Sequence, residues 1–321
     1  INNLCAYIRS PFTLASRYDE LSKDNPISEG IYKDNQQKFY SDKAELKAEA
    51  DVRLSIIKEI HDRLQGPEEN TPGTWSDFEY DFSGSVFFYP IDLTNSYYAK
   101  PINFSGSTYH KAVVLGDSVY GGQTNLSGCT YLMGAYLSGN TYRGNVNLSR
   151  CCYRGDADFS ESTYEGSAVF EACDYQGYTY FNECLHRGFV SFSGSTYANY
   201  TNFYESIYCG KANLGGCVYK KYPDFSSAAY FGDVTVAGAR FSEQAPSFAG
   251  CVFNPDRAND FTTADESEYS IKLVDGYPEN ARALTVSELE HLTNVGPEDK
   301  GFTRWVRGLN SPQEETQPVA V

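Results

Sequence analysis

A Phe, Leu or Val recurs every eleven residues through the middle of this chain of 321 residues. Beginning at Phe82, steps of eleven reach Val236, and Phe248 follows after a single inserted residue. The sixteen positions of this first column are Phe82, Leu93, Phe104, Leu115, Leu126, Leu137, Leu148, Phe159, Phe170, Phe181, Phe192, Phe203, Leu214, Phe225, Val236 and Phe248. Self-similarity at a short, fixed period predicts a solenoid, in which each unit buries its apolar face against its neighbours.

A second column of aromatic residues follows five positions after the first. Its members are Phe87, Tyr98, Tyr109, Tyr120, Tyr131, Tyr142, Tyr153, Tyr164, Tyr175, His186, Tyr197, Tyr208, Tyr219, Tyr230, Phe241 and Phe253. His186 is the one member that is neither Phe nor Tyr. A small residue lies two positions before each member, as Ser162 does before Tyr164. This alternation is typical of β-strands, whose successive side chains point to opposite faces, so both columns are predicted to face inward.

The units resemble those of the pentapeptide-repeat family, in which a small residue and then Asp or Asn precede Leu or Phe and two polar residues. ADFSE at Ala157, ANLGG at Ala212 and INFSG at Ile102 match this unit, and the resemblance covers residues 80 to about 255. The resemblance implies an all-β solenoid, a right-handed quadrilateral β-helix with four pentapeptides in each coil.

Unit centres in this chain are five and then six residues apart, so we predict coils of 22 residues, longer than the family's four pentapeptides. Cys129, Cys151, Cys173 and Cys217 are separated by multiples of 22, which supports this length. The sixteen eleven-residue repeats, two in each coil, then form about eight coils, a rod of roughly 40 Å at about 4.8 Å per coil. Glycines two residues after the second column, such as Gly144, are predicted to turn corners that need positive φ.

Helical patterns flank the repeat on both sides. We assign residues 1–79 to a helical N-terminal flank, 80–255 to the β-helix and 256–310 to a C-terminal flank with short helices. The tail, residues 311–321, is rich in Pro, Gln and Glu and is predicted to be disordered.

The flanking helices are predicted to cap the rod, because an open β-helix end exposes unpaired backbone. Apolar residues at helical spacing predict a helix over about 41–64 that covers one end. Ser10, followed by Pro, predicts the start of a shorter helix. Thr285 and Glu288 predict a capping box for a helix that caps the other end or lies along a side.

Four residues are candidate contacts with a partner. Trp305, between Arg304 and Arg307, is the most anchor-like stretch, because Trp and Arg are enriched at binding hot spots. The alternative, which we favour, is that these residues pack the C-terminal helix onto the rod. His186 is the fourth candidate, because it breaks the aromatic column.

The Cys and His residues predict neither a metal site nor a cofactor site. The nine Cys include no C-x-x-C pair, and the four His are scattered. We interpret Cys129, Cys151 and Cys173 as small interior residues that interchange with Ser and Ala, since a redox or metal role needs a nearby His or an exposed thiolate. No catalytic triad order, P-loop or G-x-G-x-x-G occurs, so we predict that the protein is not an enzyme.

The net charge of −16 is concentrated in the flanks. Residues 1–79 carry 15 acids and 10 bases, residues 80–253 carry 14 and 10, and residues 254–321 carry 13 and 6. The net charges are therefore −5, −4 and −7. A surface that binds phosphates needs clustered Lys and Arg, so direct binding of nucleic acid is not expected.

These observations favour a non-catalytic scaffold that mediates protein–protein interaction, as a subunit or assembly factor of a larger complex. No run of about 18 apolar residues occurs, so we expect a soluble chain without a membrane span. The chain begins with Ile, and we expect a mature form that has lost its targeting peptide, or a trimmed one. The family resemblance implies the thylakoid lumen and association with an organellar or photosynthetic complex.

Two other functions stay open. Bacterial members of the resembled family are acidic rods that mimic DNA and bind a type II topoisomerase, and we rank this function second because the repeat region is only −4. A solenoid that binds a surface such as ice or polysaccharide ranks third, because its Thr residues are intermittent. These residues are Thr108, Thr130, Thr141, Thr163 and Thr196.

Overall fold

The computed structural model describes residues 1–299 and 301–309. The tail predicted to be disordered, residues 311–321, lies outside the described residues. In the described part of the chain, short parallel strands form a four-sided solenoid with one sheet on each side. We name these sheets face 1 to face 4, in the order in which the chain visits them.

The strands of each face have two residues. Face 1 comprises Tyr80–Asp81, Ile102–Asn103, Thr124–Asn125, Val146–Asn147, Ala168–Val169, Val190–Ser191, Ala212–Asn213, Val234–Thr235 and Asn259–Asp260. Face 2 comprises Val86–Phe87, Thr108–Tyr109, Thr130–Tyr131, Cys152–Tyr153, Asp174–Tyr175, Thr196–Tyr197, Val218–Tyr219 and Arg240–Phe241. Face 3 comprises Ile91–Asp92, Val113–Val114, Ala135–Tyr136, Ala157–Asp158, Thr179–Tyr180, Thr201–Asn202 and Pro223–Asp224. Face 4 comprises Tyr97–Tyr98, Val119–Tyr120, Thr141–Tyr142, Thr163–Tyr164, Leu185–His186, Ile207–Tyr208, Ala229–Tyr230, Val252–Phe253 and Arg282–Ala283.

The strand register repeats every 22 residues along most of the rod. Ala135 is paired with Val113 in the preceding coil and with Ala157 in the following one. The residue inserted before Phe248 lengthens the last full coil, so that Ala229 is paired with Val252. The predicted four-sided β-solenoid of about eight coils, with helices in both flanks, is confirmed.

Both residue columns lie inside the rod, where identical rings stack on one another. From Tyr109 to Tyr219 on face 2, consecutive centroids are 4.7 to 4.9 Å apart and the ring planes lie within 6° of parallel. Aromatic pairs left to themselves prefer offset or edge-to-face arrangements. The parallel stacking is therefore imposed by the spacing of hydrogen-bonded strands, about 4.8 Å.

Most second-column hydroxyls are buried without a protein partner. Tyr120 donates to the carbonyl oxygen of Leu115 at 3.1 Å, and Asn140 Nδ2 donates to the hydroxyl of Tyr142 at 3.1 Å. Among the described residues, the buried hydroxyls that make no hydrogen bond to protein in this column are those of Tyr98, Tyr109, Tyr131, Tyr153, Tyr164, Tyr175, Tyr197, Tyr208, Tyr219 and Tyr230. These side chains therefore stabilise the rod through their apolar rings, since a hydroxyl buried without a partner opposes folding.

The prediction of positive φ at Gly144 is wrong. Positive φ occurs instead two residues after the first column, as at Gly106 (φ 68°) and Glu161 (φ 57°). Gly144 is required because a Cβ atom there would lie 2.4 Å from the carbonyl oxygen of Gly122 in the preceding coil. The same close approach recurs along the corner between face 4 and face 1, at Gly166, Gly188, Gly210 and Gly232.

The N-terminal flank closes the first end of the rod. It contains α1 (Asn2–Arg9), a 3-10 helix (Thr13–Arg17), α2 (Tyr18–Leu21) and α3 (Gln36–Leu64). Helix α3 begins before the predicted start, with Asn35 as its N-cap, and its Ile57 and Ile60 join the core of the rod. The helix start predicted at Ser10 is wrong, because Ser10 lies at the C-terminal end of α1.

One part of the C-terminal flank covers the second end of the rod, and another part lies along one side. At the end, the ring of Tyr277 stacks on Phe253 with centroids 5.8 Å apart, and Phe261 contacts Phe253 edge-on at 5.3 Å. Tyr277 belongs to an antiparallel pair, Leu273–Val274 with Tyr277–Pro278. Helices α4 (Val286–Asn294) and α5 (Phe302–Leu309) lie along face 4 instead, and α4 has the predicted capping box.

Candidate functional site

His186 lies inside the rod, where no partner can reach it. Its side chain is 1% exposed, and its ring stacks between those of Tyr164 and Tyr208, at 4.7 and 5.1 Å. Burial lowers the pKa of His186 to about 3. The prediction of a partner contact is therefore wrong for this residue, because its position in the repeat is one that faces inward whatever residue occupies it.

Trp305 and Arg307 hold α5 against the rod. The half-buried Trp305 ring stacks on Phe231 with centroids 6.1 Å apart, and it lies 4.5 Å from the ring of His291 in α4. Arg307 forms ion pairs with Glu183 at 3.0 Å and with Glu205 at 4.0 Å. These contacts are the ones expected from the alternative interpretation, in which the C-terminal helix packs onto the rod. Contact of Arg304, Trp305 or Arg307 with a partner stays a prediction, and the side chain of Arg304 is exposed.

Helices α4 and α5 cover an apolar stripe on the outside of face 4. The stripe consists of the outward residues Leu185, Ile207, Ala229 and Val252, all buried beneath the C-terminal flank. From α5, Phe302 and Val306 pack onto it. A signal for this contact was present in the sequence, because the position before the second column changes from Thr in the middle coils to Leu, Ile, Ala and Val in the later ones.

Face 3 concentrates the acidic residues of the rod. With its two corners it spans residues 90–95, 112–117, 134–139, 156–161, 178–183, 200–205 and 222–227. Eight of the 14 acids of residues 80–253 lie there, and none of the 10 bases: Asp92, Asp117, Asp156, Asp158, Glu161, Glu183, Glu205 and Asp224. The rest of the rod therefore carries 6 acids and 10 bases, so face 3 is −8 and the other faces together are +4.

Face 3 also presents tyrosine side chains outward, separate from the interior columns. They are Tyr136, Tyr178, Tyr180, Tyr200, Tyr204 and Tyr222. Tyr136, Tyr178 and Tyr204 are 41%, 45% and 37% exposed. Tyr200 stacks on Tyr222 with centroids 6.1 Å apart, and partial burial, with the nearby Asp224 carboxylate, raises the pKa of Tyr200 to about 12. In the outward column of this face, the carboxylate of Asp158 lies between the side chains of Tyr136 and Tyr180.

Face 1 forms a shallow polar groove. An open cleft of about 570 Å³ lies between α1 and the first coils, and its lining includes Asn103, Asn125 and an ion pair between Arg9 and Asp81. The side-chain oxygen of each of these Asn residues accepts a hydrogen bond from the backbone N–H two residues later, at 3.1 Å in both. The groove is thus lined by amides held in place by their own turns.

The interior cysteines hydrogen-bond as the serines of the same column do. The thiol of Cys151 lies 3.1 Å from the carbonyl oxygen of Leu126, and the hydroxyl of Ser195 lies 2.8 Å from that of Phe170. A hydrogen bond with the neighbouring Cys129 raises the pKa of Cys151 to about 12. Among the described residues all nine cysteines are free thiols, and no group of three His, Cys, Asp or Glu is placed to hold a metal ion.

No family model matches the sequence, and no curated protein matches it. Within residues 1–299 and 301–309, no helix is long and apolar enough to cross a membrane. Among solved structures, the chain is similar to QnrB1, a plasmid-mediated fluoroquinolone resistance protein, with 14% identity and a TM-score of 0.26 over 70% of this chain and 92% of that one. The β-solenoid fold is shown by the strand pairing of the chain itself.

Proposed function

We propose that this chain is a non-catalytic scaffold that mediates protein–protein interaction, as a subunit or assembly factor of a larger complex. The observation that supports the proposal is the closed, rigid rod with differing sides. Both ends are covered by flanking residues, face 4 is partly covered by α4 and α5, and face 3 presents exposed tyrosines and carboxylates. Flat solenoid sides of this kind serve recognition, because regular coils hold the outward side chains in fixed positions.

Co-purification from the native source tests this function. A tagged chain is expected to migrate in size-resolved lysate well above its own 35.8 kDa and to bring a reproducible set of proteins with it. A variant with the interior intact and an outer face altered serves as the control for specificity. Migration as a lone monomer, with nothing bound at native expression, would remove the proposal.

A second candidate is a DNA-mimicking protein that binds a type II topoisomerase. The segregation of charge favours it more than the net charge of the rod does, because face 3 carries −8 while the whole rod carries −4. A basic groove that binds the phosphates of DNA would also attract a row of carboxylates that has no bases beside it. A supercoiling assay with gyrase tests this candidate, and no change at micromolar protein would exclude it.

The compartment and the complex remain separate proposals that rest on the family resemblance. If the chain belongs to a photosynthetic complex of the thylakoid lumen, it is expected to fractionate with lumenal proteins and to comigrate with that complex on native gels. Recovery in the cytosolic fraction alone would contradict this placement and would leave the scaffold proposal intact.

A further inference from the structure

Face 3 combines two properties that occur together on no other side of the rod. Its carboxylates have almost no cation to pair with. Among the described residues, Glu183 and Glu205 share Arg307, and the other six make no ion pair. These six are Asp92, Asp117, Asp156, Asp158, Glu161 and Asp224.

Several of the carboxylates are also held in a fixed direction. The Oδ1 atom of Asp158 accepts hydrogen bonds from the backbone N–H and the hydroxyl of Ser160, at 3.0 and 2.6 Å. Asp224 makes the same pair of contacts with Ser226, at 2.9 and 2.5 Å. In Asp158 these contacts use only Oδ1, which leaves Oδ2 to an incoming donor, whereas the Asp224 carboxylate also accepts a hydrogen bond from the side chain of Tyr200. Such preorganisation lowers the entropic cost of binding.

The second property is the set of exposed tyrosines beside these carboxylates. Registered strands place Asp158 between Tyr136 in the preceding coil and Tyr180 in the following one. Tyrosine supplies a large contact surface at low entropic cost, and its ring attracts a guanidinium or ammonium group. A neutral glycan would make no use of a charge of −8, and a nucleic acid would be repelled by it.

We propose that face 3 is the docking site of a basic α-helix of a partner protein, whose Arg and Lys side chains lie between the tyrosine rings and bind the carboxylates. This inference rests on the proposed scaffold function and names the face and the chemistry of the partner. Arg suits the site best, because a guanidinium stacks on a ring and binds a carboxylate with two parallel hydrogen bonds.

The spacing along the rod favours a helical partner over an extended one. From Tyr136 to Asp224 the face advances four coils, about 19 Å at about 4.8 Å per coil. Four turns of an α-helix advance about 22 Å. Side chains on one side of an extended strand repeat about every 6.8 Å, so four intervals advance about 27 Å. A helix with one basic residue in each turn therefore places successive basic side chains about as far apart as successive coils of face 3.

The test measures fluorescence anisotropy of a labelled probe peptide with the purified full-length chain. The probe is an alanine-based helix of about 18 residues with one Arg per turn, and its counterpart has Glu in place of Arg. The chain is expected to bind the Arg peptide and not the Glu peptide, with affinity falling as salt is raised above about 50 mM.

The variants separate face 3 from general acidity. Replacing both Asp158→Asn and Asp224→Asn removes two charges and preserves the turn, because Asn202 in the same column already accepts the equivalent backbone bond at 3.0 Å. The matched control is Asp260→Asn on face 1, whose side chain makes the same kind of turn contact. The face 3 pair is expected to weaken peptide binding about five-fold, and the control to leave it within about two-fold.

A tyrosine variant supplies the second arm. Tyr136→Ala with Tyr178→Ala keeps every charge, removes two exposed rings and is expected to weaken binding about five-fold through their loss. The inference is overturned if the chain does not bind the Arg peptide, if the tyrosine variant binds as the wild type does, or if the face 1 control weakens binding as much as the face 3 pair. Cellular partners that co-purify equally well with the face 3 variants would contradict this inference and leave the scaffold function standing.

Discussion

The stability of the rod is expected to fall with acidification because of His186. Its ring is completely buried between two tyrosine rings, and neither ring nitrogen has a hydrogen-bond partner among the described residues. Burial therefore lowers the pKa of His186 to about 3, from an ordinary value of about 6.5 in the unfolded chain. Between these two values the unfolded chain binds a proton that the folded chain does not.

The sign and size of the effect follow from this difference in bound protons. Because the unfolded state binds the extra proton, the free energy of unfolding decreases as pH falls below about 6.5 and levels off below about 3. Each pH unit well inside this window costs about 1.4 kcal/mol. From pH 7 to about pH 5, His186 alone is expected to remove about 2 kcal/mol of stability.

The substitution His186→Tyr isolates this contribution, because Tyr occupies the same position in the neighbouring coils at Tyr164 and Tyr208. Urea denaturation followed by circular dichroism, at pH 7 and at about pH 5, gives the free energy of unfolding of both proteins. All other titrating groups are shared, so the difference between their pH dependences reports His186. Equal loss of stability in the two proteins between these pH values would refute the reasoning.

Three further predictions concern packing. Gly188→Ala should destabilise the rod by about 1–3 kcal/mol in urea denaturation, because the new Cβ would lie 2.5 Å from the carbonyl oxygen of Gly166; an unchanged midpoint would contradict the close approach. Tyr153→Phe should be neutral or stabilising, since its hydroxyl has no protein partner, whereas Tyr142→Phe should cost about 1 kcal/mol by removing the bond from Asn140; the reverse order in thermal melts would contradict this assignment. Phe302→Ala should release α5, at a cost of about 3 kcal/mol. Limited proteolysis should then cut the C-terminal flank of the variant faster than that of the wild type, while the rod stays resistant in both. Equal rates of cleavage of the flank in the two proteins would contradict the packing on face 4.

Much of the rod follows from local periodicity. The strand positions and the two inward columns were predictable from the eleven-residue period, because each coil must match its neighbours in length for the backbone hydrogen bonds to form. The coil length of 22 residues needed, in addition, the four units per coil that the family resemblance implies. The segregation of charge on face 3 was also present in the sequence, but it becomes visible only when the chain is wrapped at this period. A net charge summed along residues 80–253 averages face 3, at −8, with the other three faces, which together carry +4.

The candidate site was less predictable, because it depends on which outward surfaces the flanks leave free. His186 is predicted to contact a partner because it breaks the aromatic column, yet its position in the repeat faces inward and is buried whichever residue occupies it. Trp305 has two consistent interpretations, and its contact with Phe231, far away in the chain, is one that the packing interpretation requires. Contacts of this kind leave no period in the sequence.

The sequence by itself determined the solenoid, its eleven-residue period and the residues of its interior, since these depend on contacts between equivalent positions one coil apart. The four sides of the coil were implied by the family resemblance. The tertiary structure decided between the two places predicted for the C-terminal helices, since α4 and α5 lie along face 4, and it showed that Gly144 serves the approach of two coils rather than a positive φ. Each of these depends on atoms brought together from different coils or from the flanks, where packing in three dimensions decides between arrangements that are locally equivalent.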